Sequence, residues 1–97
     1  MARMTPVTPG EMLREEYLKP LRLTAYRLAK DIQVPVTRIY AIVAGKRAVT
    51  ADTDLLLCRY FGLSNGWWLR LQHHHDTQVA LRKLGKRLQR LKPYRAA

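Results

Sequence analysis

The sequence predicts an all-α fold of five helices, with the last one extended. Three observations carry this. Apolar residues recur every three or four positions. Helix-starting residues (Thr8-Pro9, Thr24, Pro35, Thr50, Ser64) are interspersed with helix-stopping ones (Pro20, Gly45, Gly62) along the chain. No segment shows the period-two alternation of a half-buried strand.

Residues 1–7 carry no periodicity and are expected to be disordered. Thr8 reads as an N-cap, with Pro9 at the first helical position and Glu11 able to reach back as a capping box. Met12, Leu13, Tyr17 and Leu18 form the apolar stripe of this first helix, which Pro20 stops near Leu18 or Lys19. Thr24 caps a second helix running to about Ile32, with Leu28, Ala29 and Ile32 facing inward and Arg27 and Lys30 outward. Pro35 opens a third, to Ala44, with Ile39, Ile42 and Val43 inside; Gly45 supplies the left-handed residue that ends it. A fourth helix runs from a Thr50 cap to Phe61 and stops at Gly62. The fifth is expected to start at a Ser64 cap, to meet no breaker before Gly85, and to reach toward Leu91.

The 97 residues suffice for one domain with a modest core. Residues 8–82 are expected to form it, with 83–97 a basic C-terminal extension. No apolar run is long enough to span a membrane, and Met1 to Pro9 lack the apolar centre of a signal peptide. A single cysteine, Cys58, excludes an intramolecular disulfide and fits a cytoplasmic setting. The charge says more. A net +11 on a chain this short implies a polyanionic partner. Seven of the cations (Arg82, Lys83, Lys86, Arg87, Arg90, Lys92, Arg95) lie between Thr77 and Ala97, where there is no acid at all.

The segment Thr24 to Gly45 holds two short helices joined through Gln33-Val34. Ala29 leaves room for a close, steep crossing, and Val34 plugs the turn from inside. This is the spacing of a DNA-binding helix-turn-helix. With Ile39, Ile42 and Val43 inside, Val36, Thr37, Arg38, Tyr40 and Ala41 fall on or beside the outer face. Arg38 is suited to a guanine edge, Thr37 to a base or a thymine methyl, and Val36 and Ala41 to thymine methyls. Tyr40 is suited to sugar or phosphate. Phosphate contacts are expected to flank these, from the helix N-terminus at Thr24, Ala25 and Tyr26 and from Arg27, Lys46 and Arg47.

Several motifs in order resemble one family. Thr8-Pro9-Gly10-Glu11-Met12-Leu13-Arg14-Glu15-Glu16-Tyr17-Leu18 is similar to the opening of the HigA-type antitoxins, within the Xre group of helix-turn-helix regulators. So are Leu28-Ala29-Lys30, Val34-Pro35 with Arg38-Ile39, Gly45-Lys46-Arg47, Thr50-Ala51-Asp52-Thr53, Arg59-Tyr60-Phe61-Gly62 and Trp68-Leu69-Arg70-Leu71-Gln72. The resemblance covers roughly residues 5–82. It implies a lambda-repressor-like DNA-binding domain in an antitoxin that represses its own operon and neutralises a RelE-like, mRNA-cleaving toxin. It also implies a homodimer reading an inverted repeat in double-stranded operator DNA. The alternative is a stand-alone Xre-type regulator without a toxin. Gln33 and Arg22 stand where the family usually carries glycine, and Trp67 where it carries phenylalanine.

No nucleophile–base pair, cofactor motif or metal cluster is expected, so an enzyme is the least favoured class. His73-His74-His75 point about 100° apart on a helix and cannot converge on one ion. Cys58 and Trp68 read as core. Leu81, Leu84, Leu88 and Leu91 form a stripe expected to pack on the body or across a dimer axis.

Overall fold

The computed structural model describes residues 7–95, so the expectation for the N-terminus falls, Val7 apart, outside the described residues. Helix α1 (Pro9–Met12) continues into a π-helical stretch, Leu13–Leu18. There follow α2 (Ala25–Ile32), α3 (Val36–Val43), α4 (Ala51–Phe61), α5 (Trp67–Leu84) and α6 (Lys86–Arg90), with no strand among the described residues.

The starts of α1 and α2 follow local chemistry closely. The Thr8 hydroxyl accepts from the Glu11 amide at 3.0 Å and reaches the Glu11 carboxylate at 3.5 Å. The Thr24 hydroxyl accepts from the Arg27 amide at 3.0 Å. The first three stops share one geometry. At the ends before Arg22, Gln33 and Gly45 the chain turns left-handed, with a six-to-one bond closing each turn: Leu23 amide to Leu18 carbonyl at 2.9 Å, Val34 to Ala29 at 3.0 Å, Lys46 to Ala41 at 2.9 Å. Arg22 (φ 52°) and Gln33 (φ 61°) thus occupy left-handed positions that suit glycine.

The first helix ends at Leu18 as expected, but its second half is π-wound rather than α, with the Lys19 amide bonded to the Arg14 carbonyl at 3.0 Å. Leu13 is fully buried, and the Tyr17 ring lies 4.6 Å from Phe61 and 5.3 Å from Trp68. Leu28, Ala29, Ile32, Ile39, Ile42, Val49, Leu57, Cys58 and Trp68 complete the core. Val43 is only half-buried. Trp67, half-buried, joins the aromatic cluster 4.8 Å from Trp68.

Gly10 fixes how α1 crosses α3. A Cβ there would sit 2.1 Å from the Ile42 carbonyl oxygen and 2.8 Å from that of Val43, so only glycine admits this approach.

The start of α5 departs from expectation. Ser64 does not cap it; the N-cap is Gly66, in the left-handed region. The capping oxygens come from α4 instead. The Asp54 carboxylate, 1% exposed, accepts from the amides of Gly66 (2.7 Å), Trp68 (2.9 Å) and Leu69 (3.2 Å). A distant carboxylate thereby satisfies donors that a helix end leaves open. Ser64 Oγ accepts from the Arg70 guanidinium at 3.1 Å.

The long C-terminal helix also differs. Gly85 (φ 50°, ψ −128°) breaks it, and α6 restarts immediately after. Every residue from 81 to 95 is exposed, in a molecule 57 Å long and 22 Å across its thinnest dimension. The leucine stripe at 81, 84, 88 and 91 therefore does not pack on the body. No helix among the described residues is long and apolar enough to cross a membrane.

Candidate nucleic-acid interface

Helices α2 and α3, joined by the left-handed Gln33, form a helix-turn-helix. Ala29 (2% exposed) gives the close crossing, half-buried Val34 packs against the core, and Ile39 and Ile42 seat α3 from below. With these anchors inward, Thr37 and Tyr40 are exposed; Val36, Arg38 and Ala41 are half-buried beside them. All five sequence-selected residues thus share one helix whose outer face is open along Thr37 and Tyr40.

Arg38 is the least free of the five. Its side chain lies over the start of α4, with Nη1 3.7 Å from the Asp52 carboxylate, and its Nε is buried with no partner. Asp52 also accepts from the Thr50 hydroxyl. That bond, helped by the Thr53 amide and then by the Arg38 charge, holds the Asp52 carboxyl below the ordinary range. Thr50 begins α4 by its backbone, but its hydroxyl caps no amide of that helix.

The flanks are built differently from one another. Thr24, Tyr26 and Arg27 are exposed and Ala25 half-buried at the start of α2. Arg27 Nε donates to both Asp31 oxygens, at 3.1 and 2.9 Å, and Asp31 also accepts from the Tyr60 hydroxyl at 2.6 Å. The Tyr60 bond, then the Arg27 bond, lowers the Asp31 pKa, and this chain ties α2 to α4. On the other flank Lys46 and Arg47 are exposed in the loop after α3. That loop is clamped to α5: Gln72 accepts from the Val49 amide at 2.7 Å and donates to its carbonyl at 2.9 Å.

Asp52, Asp31 and Gln72 were absent from the sequence-selected set. Asp52 meets Arg38, and Gln72 meets Val49, only through the fold, whereas Asp31 stands four residues from Arg27 and only its Tyr60 bond is long-range. Among the three histidines, His73 and His74 are exposed and His75 lies 3.2 Å from Asp76.

No family model matches the chain. Individual relatives do. Virulence-associated protein I of Dichelobacter nodosus is 49% identical over 77 residues, spanning 79% of this chain and 71% of that protein. A solved addiction-module antidote protein of the HigA family from Coxiella burnetii superposes with a TM-score of 0.85 at 41% identity, covering 94% of this chain and all of that one. The Pseudomonas aeruginosa antitoxin HigA, solved with the higBA promoter, superposes with a TM-score of 0.84 at 31% identity, covering 93% of this chain and 99% of that one. With these likenesses running through the helix-turn-helix and the elements that seat it, the chain belongs to the HigA-type antitoxin family of helix-turn-helix proteins.

Proposed function

We propose that this protein is a sequence-specific DNA-binding antitoxin that represses its own operon as a homodimer and neutralises a RelE-like toxin in the cytoplasm. The observation that carries the DNA-binding part is the open outer face of α3 on a rigidly seated helix-turn-helix. Its support is the likeness to a HigA antitoxin solved with promoter DNA. Thr37 and Arg38, with Val36, Tyr40 and Ala41, are the base-reading set. The start of α2 at Thr24, Ala25 and Arg27, with Lys46 and Arg47 on the opposite flank, is the phosphate-binding set. Arg27 enters with its charge already balanced by Asp31, so Lys46 and Arg47 carry most of the salt-dependent attraction. The toxin partner rests on family membership. The dimer is further supported by the uncovered leucines at 81, 84, 88 and 91.

Mobility shifts on the duplex upstream of the protein's own gene test the first part. Arg38→Ala is expected to lower affinity for that duplex by about 1–3 kcal/mol relative to shuffled DNA. An unchanged preference refutes the base-reading role. Lys46→Ala or Arg47→Ala is expected to weaken all DNA alike and to lower the salt slope by about one. Rescue of growth on co-expression with the adjacent reading frame tests toxin neutralisation, and no rescue refutes it.

A further inference from the structure

Arg38, on the helix that carries the base-reading set, has an acidic partner within its own chain. A guanidinium intended only for DNA gains nothing from an anion of its own chain. Yet Arg38 leans on the first turn of α4, where Asp52 stands 3.7 Å away with its side chain 70% exposed. Asp52 is itself held in place by Thr50. The Arg38 Nε is buried without an acceptor, so one of its donors is left unused in this pose. An unused buried donor is unfavourable, and a pose that keeps one is readily exchanged for a better-satisfied one.

We propose that Asp52 is a specificity-determining residue, holding Arg38 in an internal ion pair that only a DNA site with a matching base-edge acceptor displaces. The inference rests on the DNA-binding reading above. Every duplex offers phosphates, which attract any free guanidinium regardless of sequence. Paired to Asp52, Arg38 has part of its charge offset where it faces those phosphates, and the exposed carboxylate repels them. On a matching site the fork of a guanine edge offers two acceptors at once, a geometry the 3.7 Å contact with Asp52 does not provide. Discrimination then arises as much from weakened binding to wrong DNA as from contacts to the right one.

The test compares binding to the duplex upstream of the gene with binding to a shuffled duplex of the same composition, across a salt series. Asp52→Asn is expected to strengthen binding to shuffled DNA more than to the upstream duplex, cutting the preference roughly threefold to tenfold. The salt slope on shuffled DNA should steepen by about one as Arg38 takes up a phosphate. Asp52→Ser, a second neutral replacement suited to the first turn of a helix, should do the same; matched helicity and melting temperature confirm the fold of both. In an Arg38→Ala background, Asp52→Asn should shift both duplexes equally and leave the preference unchanged. This separates the pair from simple repulsion between Asp52 and phosphate. An undiminished preference in Asp52→Asn, or the same loss without Arg38, overturns the proposal while leaving the DNA-binding reading standing. A wild-type protein with no preference overturns both.

Discussion

Arg22 and Gln33 hold left-handed backbone with side chains that disfavour it, and the cost at each is on the order of 1 kcal/mol. Gln33 is exposed, so little packing is lost by removing its side chain. Gln33→Gly is expected to raise stability by about 1 kcal/mol, a melting shift of about 4–8 °C by calorimetry. Gly10 is the opposite case. Placing a Cβ 2.1 Å from the Ile42 carbonyl forces α1 away from α3, because the obstacle is backbone. Gly10→Ala is expected to cost about 3 kcal/mol or more by denaturant titration. Both positions illustrate what the sequence reading reached. It marked 22 and 33 as places where glycine is the norm, from which the strain followed once φ was known. Gly10 drew no attention, because its reason lies in α3, more than thirty residues away.

At the scale of elements, α4 works as a mounting for its neighbours. One face buries Thr53, Asp54, Leu57 and Cys58, and Asp54 supplies the start of α5 with its acceptors. Asp54→Ala is expected to leave three amides of that turn without their acceptor and to lower stability by at least about 2–3 kcal/mol in chemical denaturation. A milder loss would mean water replaces the carboxylate. Caps made by the next residues in the chain, such as Thr8 and Thr24, were legible in the sequence because they depend on spacings of three. The Ser64 expectation failed for the same reason. It assumed a local cap where the fold uses one from twelve residues upstream of Gly66. The break at Gly85 was foreseeable as a weakness and became a stop, because no body surface lies beneath residues 81–95 to hold the helix straight.

For the whole molecule, acid should be the clearest stress. The carboxyls of Glu15 (bonded to Lys19, then Arg14), Asp31 (Tyr60, then Arg27) and Asp52 (Thr50, then the Thr53 amide) all sit below their ordinary pKa values. A depressed carboxyl stabilises the fold above its unfolded pKa, and that contribution is lost as pH falls through the folded value. The melting temperature is therefore expected to hold steady from about pH 7 to 5 and to drop below about pH 4. Asp31→Asn should shallow that drop; an unchanged acid limb in a pH series of thermal melts would refute the assignment. Five of the helices, most of the core and the helix-turn-helix were legible because each is written in spacings of three and four; the separate sixth helix was not, since it arises from the break at Gly85. The pairs of Glu15 with Lys19 and of Arg27 with Asp31 lie four residues apart and are local, whereas the Arg38–Asp52 pair and the Tyr60–Asp31 bond were not legible, since they depend on which helices end up adjacent. The clamp of Gln72 on Val49, with Gly10 wedged under Ile42, leaves α3 gripped at its C-terminal end from two directions. A helix so fixed meets a duplex as finished tooling. Little chain ordering remains for the encounter itself, and the entropy that a floppy reader forfeits on contact has already been surrendered during folding.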